Sequence, residues 1–125
     1  MAVPRITRED LKSRLDTVDP AARPLLLDVR LKYPYEHSTM KLPGSTRMAP
    51  DAVDPATLPR DRDIVAYDSD PDELVSSRVA AQLIKAGYRA SALKGGIVEW
   101  LAANFPTEPK EAPRAAPPEP GSLKG

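Results

Sequence analysis

The sequence predicts an α/β fold, a mostly parallel central sheet with helices on both faces. Two apolar runs, Leu25-Leu26-Leu27 and Ile64-Val65-Ala66-Tyr67, have the length and composition of buried strands. A strong helical pattern follows the second run, and another short strand follows that helix. This alternation is expected of parallel strands joined by helical crossovers. At 125 residues the chain is long enough for one domain with a real core and too short for two.

The elements follow in order. Thr7-Arg8-Glu9-Asp10 opens a helix, with Thr7 placed to cap the amide of Asp10 in the manner of a capping box. Ile6 and Leu11 fall at hydrophobic-staple positions, Leu11 and Leu15 share a face, and Asp19-Pro20 marks the exit. Leu25 to Val29 is the first buried strand. Residues 30–62 are punctuated by Pro34, Pro43, Pro50, Pro55 and Pro59. They are expected to be mostly loop, with one helical turn near Asp51 to Leu58. Ile64 to Tyr67 is the second clear strand. Glu73 to Ala86 is the best helix, with Leu74, Val75, Val79, Leu83 and Ile84 as its apolar face and Gly87 as the residue past its end. Arg89 to Leu93 reads as a strand. Gly95-Gly96 then turns into a helix over Ile97 to Leu101, where Trp100, the only tryptophan, is expected to anchor the core. A domain is thus expected over residues 1–106. Residues 107–125, rich in Pro, Glu, Ala and Lys, are expected to form a disordered, partly polyproline tether.

Composition excludes several functions. Basic and acidic side chains balance at 18 each, which gives no support for a nucleic-acid or anionic-membrane surface. No run approaches the ~18–20 apolar residues of a membrane span. Met1 to Arg5 lacks the apolar core of a secretory signal, so a cytoplasmic location is expected. There is no cysteine, hence no disulfide, thiolate metal site or cysteine nucleophile. The single histidine, His37, excludes a multi-histidine metal site within one chain. No cofactor and no metal is implied.

The candidate site is the loop Asp68-Ser69-Asp70-Pro71-Asp72-Glu73, between the strand ending at Tyr67 and the helix that follows. Ligands of parallel α/β sheets sit at such strand ends, and a helix N-terminus there favours an anion. Four carboxylates in these six positions are therefore an odd choice.

The order of motifs resembles the rhodanese-like (sulfurtransferase) domain over roughly residues 5–106. Leu27-Asp28-Val29-Arg30 is similar to the family's "DVR". Pro34, Glu36, Leu42, Pro43 and Gly44 fall on its "PEEFxxGHIPGA" segment. Ile64 to Tyr67 matches the strand before its active-site loop, Ala86-Gly87-Tyr88 its "AGY", and Lys94-Gly95-Gly96-Ile97-Val98-Glu99-Trp100 its "xGGIxxW". The resemblance implies a parallel sheet wrapped by helices and, in active members, a cysteine after the Tyr67 position that carries sulfur as a persulfide cradled by loop amides. Here position 68 is aspartate. Tyr67 to Glu73 looks like the "YCSCPxE" loop of one subgroup with both cysteines replaced by aspartates, and Met40-Lys41 stands where the family has "GH".

Persulfide relay needs a soft nucleophile that makes and breaks a sulfur–sulfur bond, which a carboxylate does not do. The Asp68 carboxylate is instead expected to sit in the amide cradle, with Asp70 or Asp72 capping the helix and Glu73 in its first turn. Alternation of Asp68, Asp70 and Asp72 is reminiscent of a calcium loop, but glycine and glutamate are missing where such a loop needs them; Glu73 and Val79 stand there. Asp-x-Asp after a strand is also similar to the opening of aspartate-nucleophile phosphatases, although Asp72 replaces their threonine or valine. Asp28 and Arg30 are expected to fix the loop as structural partners or to line the pocket. Arg78 either balances the acids or lies on a solvated face. His37 is expected to be packed or at the surface, and Tyr33 and Tyr35 to form a contact patch. The expected function is an inactive rhodanese-like binding or regulatory module for a protein partner or a small cationic ligand. The alternative is a superfamily enzyme using carboxylate-based, for example phosphoryl, chemistry at Asp68.

Overall fold

Alternation along the two buried strands sends successive side chains to opposite faces of one sheet. Leu27, Ile64 and Ala66 join one apolar cluster, while Leu26, Val65 and Tyr67 join another. The structure, a computed structural model, describes residues 3–110 except Val18 and Pro71, and except the side chain of Ala21. Its elements are β1 (Arg5–Ile6), α1 (Arg8–Leu15), β2 (Leu25–Asp28), α2 (Lys32–His37), β3 (Met40–Lys41), β4 (Thr46–Arg47), β5 (Ile64–Tyr67), α3 (Leu74–Lys85), β6 (Ala90–Leu93), α4 (Gly96–Ala102) and β7 (Glu108–Pro109).

Five strands form a wholly parallel sheet in the order β1-β6-β5-β2-β4. Helix α3 covers one face through Val75, Val79, Ala80 and Leu83. Helices α1 and α4 cover the other through Leu11, Ile97 and Trp100. The predicted parallel sheet with helices on both faces is what the chain forms. Trp100 is fully buried in the second cluster, as expected.

Local signals act where they were read. The Thr7 hydroxyl accepts from the Asp10 amide at 3.1 Å, and Ile6 packs on the cluster that holds Leu11. Gly87, at φ +95°, closes α3 in a Schellman motif: Tyr88 N–H donates to Leu83 O and Gly87 N–H to Ile84 O, both at 3.0 Å. Three expectations are corrected. Residues 30–62 hold more than loop and one turn. Helix α2 runs through Pro34, which lies in its first turn, where a missing N–H loses no bond. β4 forms an edge of the main sheet, and the expected turn becomes two 3-10 turns, Pro50–Ala52 and Pro55–Thr57. Leu74 is 67 % exposed and leaves the apolar face to its neighbours.

The third correction moves the domain boundary past 106. β7 pairs antiparallel with β3, its proline is tolerated because the pair is an isolated edge, and Glu108 Oε1 accepts from the Gly44 amide at 2.8 Å. The tether expected over the rest of the tail falls on residues 111–125, outside the described residues. Among the described residues no helix is long and apolar enough to cross a membrane.

Candidate functional site

The parallel register Asp28↔Tyr67 puts the ends of β2 and β5 side by side, so Asp28 and Arg30 flank the start of the acidic loop. Asp68 is only 1 % exposed. Its Oδ1 accepts from the Asp70 amide at 3.0 Å and its Oδ2 from the Ser76 amide at 2.7 Å. Ser76 lies in the first turn of α3, where no helix carbonyl reaches the N–H. Asp68 thus caps α3 from outside the helix, in the partial positive charge of its N-terminus. Burial pushes the Asp68 carboxyl upward from its ordinary pKa, and the amides of Ser76, Asp70 and Val75 pull it down without cancelling the rise. The Asp68 carbonyl accepts from Ile97 N–H at 2.9 Å. A Cβ on Gly96 would lie 2.3 Å from that carbonyl oxygen, and Gly96 has φ +63°. Glycine there lets α4 start directly against the loop.

The other loop acids separate. Asp70 Oδ1 accepts from the Asp72 amide at 2.8 Å, a local turn. The expected helix cap by Asp70 or Asp72 is therefore corrected: α3 has no side-chain cap from its own start, and Asp68 takes that place. Glu73 is not in the first turn of the helix. It precedes it with a left-handed backbone, φ +54°, that few residues other than glycine adopt. That backbone turns its side chain inward, where it is 1 % exposed. Its Oε1 accepts from Arg5 Nε at 2.5 Å and its Oε2 from the Gly95 amide at 2.9 Å. Burial raises the Glu73 carboxyl, but Arg5 and the Gly95 amide outweigh it and hold the pKa below the ordinary value. Pro71 lies outside the described residues.

Asp28 and Arg30, each 1 % exposed, form a buried pair. Arg30 Nη2 donates to Asp28 Oδ2 at 2.7 Å and Nε to Oδ1 at 3.0 Å, and Nη2 also reaches Met40 O at 3.1 Å. Tyr35 lies against three cations, with Arg47 4.0 Å, Lys110 4.3 Å and Arg30 5.3 Å from its ring centroid. It is a partly buried hub, so of the expected contact patch only Tyr33 is freely exposed. His37 is exposed and stacks on Tyr33. Arg78 is exposed and, among the described residues, makes no ion pair; the fold does not bring it to the loop.

Between α2 and the loop is a cavity of about 300 Å³. Leu31, Pro34 and Val75 form its apolar walls, and Asp68, Ser69 and Asp70 its polar side. Leu31 at the mouth is 51 % exposed. Among the described residues no group of three or more His, Asp or Glu side chains is placed to hold a metal ion. Sequence reasoning located the loop and missed its supports. Arg5 and Ser76 carry no motif, whereas Gly95 and Gly96 stood in a motif whose contact with the loop only the fold reveals.

A family model for the rhodanese-like domain matches residues 7–103. No curated protein matches the chain. Among solved structures, a protein of Anabaena sp. is 34% identical over 82% of this chain and 81% of its own, with a TM-score of 0.67. A rhodanese-related protein from Thermoplasma volcanium is 19% identical, with a TM-score of 0.69 over 84% of this chain and 97% of its own. A Rhodopseudomonas palustris protein of unknown function, described as a possible tyrosine phosphatase, is 19% identical and covers 85% of both chains with a TM-score of 0.70. Over five strands (β2 to β6), four helices (α1 to α4) and the loop that joins β5 to α3, the chain belongs to the rhodanese-like domain family.

Proposed function

We propose that this chain is a catalytically silent rhodanese-like domain, a cytoplasmic binding or regulatory module whose loop pocket takes a cationic group of a partner. The observation that carries this reading is the position of the Asp68 carboxylate. Its two oxygens accept from the Asp70 amide in the loop and the Ser76 amide in the first turn of α3, so the cradle that would hold a persulfide anion is filled from within. The chain has no cysteine, so no cysteine persulfide forms on it. What remains open is a small cavity with apolar walls and the half-buried Asp70 on its polar side. That combination suits an ammonium or guanidinium group on an apolar stem, such as a partner's lysine or arginine side chain.

Phosphoryl transfer at Asp68 is the second reading, and the same geometry opposes it. A nucleophilic carboxylate needs a free oxygen facing the substrate, and both Asp68 oxygens are engaged. Titration followed by 1H–15N NMR tests the proposal, with n-butylammonium as a mimic of a lysine side chain and thiosulfate as the anion. n-Butylammonium is expected to shift the amides of Ser69 and Asp70, and thiosulfate to give no saturable change at ordinary ionic strength. Saturable thiosulfate binding at the loop overturns the electrostatic part. Turnover of p-nitrophenyl phosphate with magnesium that disappears in Asp68→Asn overturns the whole reading.

A further inference from the structure

At the opposite end of the sheet from the loop, the strand N-termini bound a second and larger cavity of about 460 Å³, within the ~300–1,000 Å³ range of small-molecule sites. Its walls are apolar: Leu15 from α1, Pro24, Leu25 and Leu26 at the start of β2, Pro43, and Trp100 from α4. Trp100 is fully buried behind this wall and spends its only donor internally, on Pro106 O at 2.8 Å, so the accessible apolar surface is that of Leu15, Leu25 and Pro43. Two guanidinium groups converge on this cavity. Arg23 donates from Nε and Nη2 to Thr17 O at 3.1 and 2.8 Å, and Arg62 donates from Nε and Nη2 to Arg23 O at 3.3 and 3.1 Å.

These bonds fix both side chains but go to neutral carbonyls. Among the described residues neither arginine makes an ion pair, so both charges stand uncompensated. Lys12, also at the rim, is already neutralised by Asp16 at 2.6 Å. Each guanidinium uses one edge for its carbonyl and keeps Nη1 for another acceptor. Two partly buried cations held rigid by the backbone beside an apolar floor match one ligand class: an anion with an apolar body.

We propose that this cavity binds a small amphipathic carboxylate, its carboxyl group on Arg23 and Arg62 and its hydrocarbon part against Leu15, Leu25 and Pro43, with Trp100 directly behind them. The proposal is independent of what the acidic loop binds, because the two cavities share no lining residue.

The chain carries its own reporter, since Trp100 is its only tryptophan. Hexanoate is titrated against tryptophan fluorescence and 1H–15N NMR, with hexylammonium and 1-hexanol as size-matched controls. Saturable change at Trp100 and at the Arg23 and Arg62 side-chain signals is expected. Hexanoate should bind at least tenfold more tightly than either control. Arg62→Gln should weaken it about tenfold, and Asp16→Asn, at an exposed position that frees Lys12, should strengthen it several-fold. Equal binding of the three probes, or no saturable change, overturns the proposal. If Arg62→Gln does not fold, the controls on the unaltered chain and the direction of the Asp16→Asn effect decide.

Discussion

Asp28 and Asp68 stand at the ends of neighbouring strands and are equally buried, at 1 % exposed, yet different chemistry holds them. Asp28 has a counter-ion, Arg30, bound through two donors and buried with it. Asp68 has none; two amides and a helix N-terminus hold it. A counter-ion neutralises a buried carboxylate outright, whereas amide dipoles offset only part of the loss of water. Accordingly Asp68 is pushed above its ordinary pKa. The strand end that carries the DVR motif is locked by charge pairing. The strand end that carries Asp68 is closed by a residue whose charge the fold supports incompletely.

The largest effect is expected where pairing is complete. Arg30→Met leaves the Asp28 carboxylate buried with a backbone amide and the more distant Arg47 Nη1 at 3.7 Å. Removing one partner of a buried pair typically destabilises by about 3–5 kcal/mol. Urea unfolding should show a loss of that order, and Asp28→Leu combined with Arg30→Met should recover much of it. A loss below about 1 kcal/mol in Arg30→Met would mean that Asp28 is held by amides, as Asp68 is, and would remove the contrast.

Asp68→Asn is expected to destabilise less, by about 1–3 kcal/mol, because its NH2 group must face one of two amide donors. The pH dependence sharpens the comparison. Folding raises the Asp68 pKa, so its contribution is fully present below the ordinary aspartate value of 3.8 and is lost as pH rises through the folded value. The stability gap between the unaltered chain and Asp68→Asn should therefore narrow as pH rises above 3.8. A gap that widens instead means that the cradle supports the anion better than water does, and that Asp68 is as well compensated as Asp28.

How much of this was legible in the sequence follows from the range of each interaction. β2 and β5 were readable because side-chain alternation and length act locally. The end of α3 was readable because Gly87 alone sets the Schellman turn. The position of the loop followed from its place after β5. Its internal arrangement did not, because the inward-turned Glu73 side chain is held by Arg5, 68 residues away, and by the Gly95 amide. A string of acids before a helix reads as a capping sequence, and nothing local says which one turns inward. β4 and β7, two residues each, were missed for the same reason: they are strands by virtue of β2 and β3 alone.

Glu73 supplies the smallest test, and one of opposite sign within the same loop. Its folded pKa lies below its ordinary value of 4.5, so it contributes stability that is present above 4.5 and lost as pH falls through the folded value. Arg5 is half exposed, and solvent screens its side of the pair, so Glu73→Gln should lower the melting temperature less than Asp68→Asn does at neutral pH. Gln keeps an acceptor for the Gly95 amide, which leaves the Arg5 charge as the main loss. The melting-temperature gap between the unaltered chain and Glu73→Gln should widen as pH rises through 4.5, while the Asp68→Asn gap narrows, and added salt should shrink only the Glu73 effect. Parallel slopes for the two variants would show that one shared field, rather than a counter-ion at Glu73 and amides at Asp68, sets the charge state of the loop.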